Sequence, residues 1–231
     1  KVVLKARSSN VLDKKGVITR SVSPKYLLAE NNPSNSDENF FFQELIKGKT
    51  LGYFALSREG EVLVSYSHER VLDTNPSGSG SCVRKSIHNM NDTLRNVSIE
   101  IIRKLDWTGP IMLEFLIEEK TNDLYLLEIN GRLWGSYCLA THSGIPFSDI
   151  MVDMYTSEEN STYYKTKCVT VTNELLLLSR WLRILRGPKK YSSDKFPRRV
   201  TLLKEFKYLL NKKELFSDND PLPILRYLWK R

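Results

Sequence analysis

The chain has 231 residues, a hydrophobic fraction of 41%, 11 Gly and 9 Pro, ordinary values for a globular protein with a sizeable core in one large domain or two small ones. Its net charge of +8 is confined to one end: residues 180–231 carry 15 Lys/Arg against 5 Asp/Glu, while residues 1–179 carry 20 against 22. The basicity therefore belongs to the C-terminal fifth and says nothing about the first 179 residues, and no apolar run approaches the roughly 18–20 residues of a membrane span.

Residues 1–30 are peppered with charge, unlike a secretory leader. The opening KVVLKARSS runs straight into a strand without Met, as in a piece of something longer. Cys82, Cys138 and Cys168 show neither CxxC nor Cys/His metal spacing, which predicts structural thiols in a reducing, cytoplasmic setting.

In chain order, VVLK (2–5) reads as a short strand and NNPSNSDEN (31–39) as a polar loop. FFFQELI (40–46) is a second strand. YFAL (53–56) and EVLVSY (61–66) flank Ser57–Gly60 as a β-hairpin, and DTNPSGSGSC (73–82) is a loop. The three- and four-residue spacing of Ile87, Met90, Leu94, Val97, Ile101 and Ile102 predicts a helix over 84–105. GPIMLEFLIEE and LYLLEIN form a second hairpin around TND. Helices are expected over 149–159 and 174–186, the latter with Leu and Trp on one side and Arg180, Arg183 and Arg186 on the other. A Lys/Arg-rich tail follows from Gly187. Strands, helix, hairpin and helices in this order predict an α+β fold rather than repeating βαβ units.

The second hairpin carries the chemistry. Ile111, Leu113, Phe115 and Ile117 alternate with Met112, Glu114, Leu116 and Glu118, and Glu128, Asn130 and Arg132 leave one face of the return strand. A turn centred on Thr121 sets Glu114 directly opposite Glu128, with Met112, Leu116, Leu124 and Leu126 on the same face. Opposed like charges weaken a hairpin, and a cation between them removes that penalty. Two carboxylates and the Asn130 amide form a hard oxygen set suited to Mg²⁺ that keeps waters and phosphate oxygens as its other ligands. Against this stands the plainer reading of two solvated glutamates on an exposed sheet face. His68, His88 and His142 show no mutual spacing for a metal or a relay and read as structural or surface residues.

GPIMLEFLIEE…LYLLEINGRLWGS resembles the metal-binding hairpin of the ATP-grasp superfamily, especially the branch with biotin carboxylase and carbamoyl phosphate synthetase: an acid on one strand and E-x-N-x-R on the next. The resemblance covers about residues 1–155. It implies an ATP-grasp domain over 1–155, lacking the family's N-terminal domain, followed by a basic, mainly helical extension over 156–231. It makes Glu114, Glu128 and Asn130 metal ligands, with Mg²⁺ (or Mn²⁺) and ATP as cofactors. Lys5 would reach the phosphates, Glu44 the adenine amine, and the backbone of Leu45 and Ile46 the ring edge. Lys49-Thr50 stands where the ribose contact falls, which gives Thr50 to the nucleotide. HERVLDTNPSGSGS resembles the segment whose arginine, here Arg70, approaches phosphates and substrate. The glycine-rich phosphate loop of the family is thin here, with Ser8, Ser9 and only Gly16.

The implied activity is that of a carboxylate–amine ligase acting through an acyl phosphate on small-molecule substrates. Arg132 would hold the anion, or else pair with Glu128 or Glu114. A kinase on the same fold, a non-catalytic ATP-binding module, and a role for residues 180–231 toward an anionic partner remain as alternatives.

Overall fold

The computed structural model describes residues 2–6, 10–12, 18–20, 25–27, 40–44, 46–76, 80–87, 90–156, 164, 166–187 and 196–214. The chain divides into two compact units, residues 1–48 and 49–231. In the first, β1 (Val2–Ala6) is flanked by β4 (Lys25–Leu27) and β5 (Phe40–Glu44), both antiparallel to it; β2 (Asn10–Leu12) pairs with β3 (Ile18–Arg20). The strands expected at 2–5 and 40–46 are thus β1 and β5. The loop expected at 31–39 lies outside the described residues.

The second unit is organised by a seven-stranded sheet. Its strands are β6 (Gly48–Arg58), β7 (Glu61–Leu72), β8 (Val83–Ile87), β9 (Gly109–Glu118), β10 (Leu124–Asn130), β11 (Thr170–Thr172) and β12 (Lys212–Lys213), in the spatial order β10-β9-β6-β7-β8-β11-β12. Every pairing whose direction is defined is antiparallel except β11–β12. The β6–β7 hairpin turns through Glu59 (φ 49°) and Gly60 (φ 73°). Two successive left-handed residues match the right-handed twist of the strands, and glycine takes that geometry without a Cβ penalty.

β6 is buried on both faces from Leu51 to Ser57. On one side Tyr53 and Ala55 pack with Ile111, Leu113 and Phe115 against Leu94 and Ile102 of helix α1 (Asp92–Lys104). On the other side Phe54, Leu56 and Tyr66 pack with Trp134 and with α2 (Tyr137–His142) and α3 (Phe147–Thr156). Helix α4 (Glu174–Arg186) covers Cys82 and Val83 through Leu177.

Three expectations are corrected. The helix drawn over 84–105 is a helix only from Asp92: residues 83–87 form β8, paired with β7 and β11. The Asn91 side chain accepts from the Thr93 and Leu94 N–H groups and sets the start, a cap that the apolar spacing overran. Helix 174–186 has the expected bounds, but Arg180 does not join Arg183 and Arg186 on the outer face. It is buried with Leu177 and Ile184. The C-terminal part is not simply helical either, since beside α4 and α5 (Thr201–Glu205) it contributes β11 and β12 to the sheet.

Candidate active site

The expected opposition of Glu114 and Glu128 is present: the two are Cα partners across β9 and β10, and Asn130 faces Met112. A bulge between Leu126 and Glu128 shifts the turn half by one residue, so Leu124 faces Ile117 and Leu126 faces Phe115. Leu124 and Leu126 therefore do not share the carboxylate face, as a regular strand would require, and Leu124 packs with the α1-side core. The bulge reconciles two demands on β10. Without it, Glu128 and Asn130 would have to share a face with the leucines. β10 is also the edge of the sheet, which leaves Ile129 41% exposed although it points toward the core side.

Arg70 of β7 donates from Nη2 to Glu114 Oε1, reaching across β6. Both side chains are partly shielded from solvent, where a charge-assisted bond is stronger than on an open surface. Glu128 is exposed at the edge and Asn130 half-buried. Two residues before Arg70 on β7, and so on the same face, lies His68, buried, with Nε2 2.7 Å from Ser136 Oγ and its ring 4.4 Å from that of Phe54. Burial, with the nearby Arg84 and Arg70 guanidinium groups, lowers its pKa to about 3, so it is a neutral imidazole at physiological pH. Ser136 belongs to the loop that carries Arg132, and this contact ties that loop to β7. His68 is structural, as expected; its link to Ser136 is the part that sequence reasoning missed. The alternation Tyr66, His68, Arg70 on a strand was the available signal.

Arg132 is exposed beyond β10 and donates from Nη1 to the Leu133 carbonyl at 3.1 Å. Among the ion pairs of the described residues, the Glu114 carboxylate is held by Arg70 rather than by Arg132. Thr50 lies on β6 one residue before Leu51, the partner of Glu69. In the separate first unit, Lys5 sits on β1 with Phe41 as Cα partner, Glu44 ends β5 and is exposed, and Ile46 is half-buried. The Lys5 side chain, Leu45, Ser8, Ser9 and Gly16 lie outside the described residues.

The oxygen donors fit magnesium better than a metal that needs a full protein cage. Among the described residues no three His, Cys, Asp or Glu side chains converge on one point. Two carboxylates and an amide instead match an ion that keeps several waters and phosphate oxygens. Cys82 and Cys138 are structural thiols: burial raises the first to about 11, and burial with the Glu214 carboxylate pushes the second up to about 12, far from the range of reactive thiolates.

Gly131, between Asn130 and Arg132, lies on the Trp107 ring. A Cβ there would fall 2.4 Å from Trp107 Cη2 and Cζ2, while the indole N–H is held by the Pro110 carbonyl at 3.3 Å. Gly131→Ala is expected to destabilise the protein by about 1–3 kcal/mol through overpacking, read as a lower urea midpoint. An unchanged midpoint would mean that the ring turns aside freely.

Residues 83–158 match the family model described as the carbamoyl-phosphate synthase L chain, ATP binding domain, a span that contains β8, α1, the β9–β10 hairpin, α2 and α3. No curated protein sequence matches the chain. Among solved structures it is similar to a biotin carboxylase from Campylobacter jejuni in a beta-gamma-ATP complex (TM-score 0.47, 14% identity, 59% of this chain and 32% of that one). It is also similar to the biotin carboxylase domain of the Hydrogenobacter thermophilus 2-oxoglutarate carboxylase (TM-score 0.45, 14% identity, 57% and 31%) and to the Kluyveromyces lactis urea amidolyase (0.43, 12%, 53% and 8%). The chain spans about a third of the length of the two biotin carboxylase chains. The protein is α+β, built on an antiparallel-dominated sheet. Over residues 83–158 it carries a segment of the carbamoyl-phosphate synthase ATP-binding kind, one of the two relatives that the hairpin motif pointed to.

Proposed function

We propose that this chain carries the nucleotide and metal site of an ATP-dependent ligase that joins a carboxylate to an amine or related nucleophile through an acyl phosphate. The observation that supports this most is the hairpin register: Glu114 and Glu128 directly opposed, Asn130 two residues on, and Arg70 already bonded to Glu114. Opposed carboxylates at a sheet edge cost stability unless a cation serves them. Arg70 supplies one positive charge, and Glu128 with Asn130 would take a second.

In this reading Glu128, Asn130 and Glu114 hold Mg²⁺, and the same hard oxygens accept Mn²⁺. The metal, when bound, neutralises charge on the phosphate oxygens, which is most of what phosphoryl transfer needs. The substrate carboxylate oxygen takes the γ-phosphoryl group, ADP leaves, and the amine then displaces phosphate. Arg70, partly buried beside the carboxylates, orients the anion through its guanidinium fork. Arg132, exposed just past the ligands, closes on the same anion from solvent. His68, neutral and bonded to Ser136, keeps the Arg132 loop against the sheet without adding charge. The family resemblance implies phosphate contact for Lys5 and adenine contact for Glu44, Leu45 and Ile46, and Thr50 would meet the nucleotide where the family often has an acid on the ribose. Small-molecule substrates and a reducing compartment, the cytoplasm, complete the reading. A kinase of the same fold would differ only in its product, a stable phosphate ester.

The test is titration calorimetry of a non-hydrolysable ATP analogue with and without Mg²⁺. Binding should require Mg²⁺ and weaken in Glu128→Gln by at least about tenfold, the scale on which even outer-shell changes act at metal sites. Metal-independent binding, or full affinity in the variant, would make the carboxylates structural.

A further inference from the structure

Helix α4 buries Leu177, Arg180 and Ile184 but leaves Leu178, Leu182 and Leu185 exposed on a second stripe. Spacing of four and three residues puts the three on one line along the helix. Trp181 borders that line and meets the Phe206 ring at a centroid distance of 4.8 Å. Phe206 is itself 51% exposed, and Leu203, one turn earlier, is 73% exposed. Arg199 donates to the Leu185 carbonyl at 3.0 Å, so the start of α5 also lies at the end of α4. The apolar surface is therefore shared by two elements, whereas a single stray leucine would need no explanation.

Among the described residues from Arg180 onward the exposed charges have one sign, and Glu174 at the start of α4 is half-buried. Within residues 180–187 and 196–214 every exposed charged side chain is Lys or Arg, among them Arg183, Arg186, Lys204 and Lys207. The two acids of these segments are withdrawn: Glu205 is buried against Arg180, and Glu214 accepts two bonds from Arg84. Among the described residues, folding thus withdraws these two acids and leaves basic side chains beside protruding leucines.

We propose that the α4–α5 face docks on an anionic phospholipid surface. Leu178, Leu182, Leu185, Leu203 and Phe206 enter the headgroup–acyl boundary while the arginines and lysines meet the phosphates and carboxylates of the lipid. An interfacial helix has this division, apolar on one side with Lys/Arg on the flank, and long basic side chains reach back to the headgroups from beside a buried stem. At 13 residues, α4 is too short to cross a bilayer and long enough to lie on one. A nucleic acid would use the basic rim, but it offers no apolar layer for the leucines, which favours lipid. The surface is independent of the nucleotide site, and its failure would leave the ligase reading untouched.

Co-sedimentation of the whole chain with phosphatidylcholine vesicles, with and without phosphatidylserine, tests this. Binding should need phosphatidylserine and weaken with salt. It should fall by about tenfold or more in Leu182→Asp and Leu203→Asp, whose side chains already face solvent, and equally in Arg183→Glu/Arg186→Glu. Unchanged thermal melting of the variants excludes unfolding as the cause. No binding to the phosphatidylserine vesicles would overturn the proposal, as would binding that survives both leucine substitutions and is lost only on charge reversal. That last result would mark a general polyanion site, which RNA would then occupy as well.

Discussion

The stability of this protein should fall as pH drops from roughly 6.5 to 5 because of one residue, His68, with a slope that approaches about 1.4 kcal/mol per pH unit at the lower end. The folded protein holds its imidazole neutral down to about 3, chiefly because the ring is buried and secondarily because Arg84 and Arg70 repel a proton. The unfolded chain takes up that proton near the ordinary value of 6.5. Between those values the unfolded state binds one proton more than the native state, so stability rises with pH across the window and is complete above it. Ordinary carboxylates protonate mainly below about pH 5, so the upper part of the window isolates the histidine. Urea titrations at successive pH values should show the slope in the parent and a nearly flat line in His68→Gln. An equal slope in both would show that His68 does not hold its neutral form.

The Arg180–Glu205 pair carries the other large effect. Arg180 Nε and Nη2 both donate to the Glu205 carboxylate, Nη2 at 2.9 Å, and Trp181 Nε1 donates to Oε2 at 3.0 Å; Arg180 Nη1 meets the Asp73 carbonyl at 2.7 Å. This one carboxylate satisfies two donor side chains and clamps α5 onto α4. Glu205→Ala leaves a buried guanidinium without its counter-charge, expected to cost about 3–5 kcal/mol. For a unit of this size that is a fall in Tm of about 10 °C. Replacing both partners, Arg180→Met with Glu205→Leu, should recover much of the loss, since two apolar side chains do not strand a charge. A single variant within about 1 kcal/mol of the parent would mean that water reaches the guanidinium once the acid is gone. The clamp also presents the apolar α4–α5 face, so Glu205→Ala should loosen that surface as it melts.

Much of the candidate site was legible in the chain because hairpin chemistry is local. Turn and strands are contiguous, and the alternation of β9 with E-x-N-x-R on the return strand pointed to Glu114 opposite Glu128, an opposition that the bulge at Leu127 completes. The cap at Asn91 was local too, but apolar spacing in 84–91 competed with it. The spacing of Ile87 and Met90 suits a helix in isolation, and β8 exists because β7 and β11 offer it hydrogen bonds on both sides. The bulge at Leu127 shows the same limit on a smaller scale. No propensity demands it, only the need to send Leu124 toward the α1-side core while Glu128 stays on the opposite face.

The sequence by itself determined the pieces whose partners lie close along the chain: the two hairpins, helix α4 with its bounds, the acid–amide–guanidinium series and the basic bias of the C-terminal fifth. Tertiary structure alone decided that Arg70 rather than Arg132 holds Glu114, that Arg180 turns inward to Glu205 while its neighbours turn out, and that residues 83–87 are strand. Each of those outcomes depends on a partner tens of residues away. Local periodicity specifies which face a side chain leaves, but the charge, hydrogen bond or strand waiting at that face is supplied by the rest of the fold.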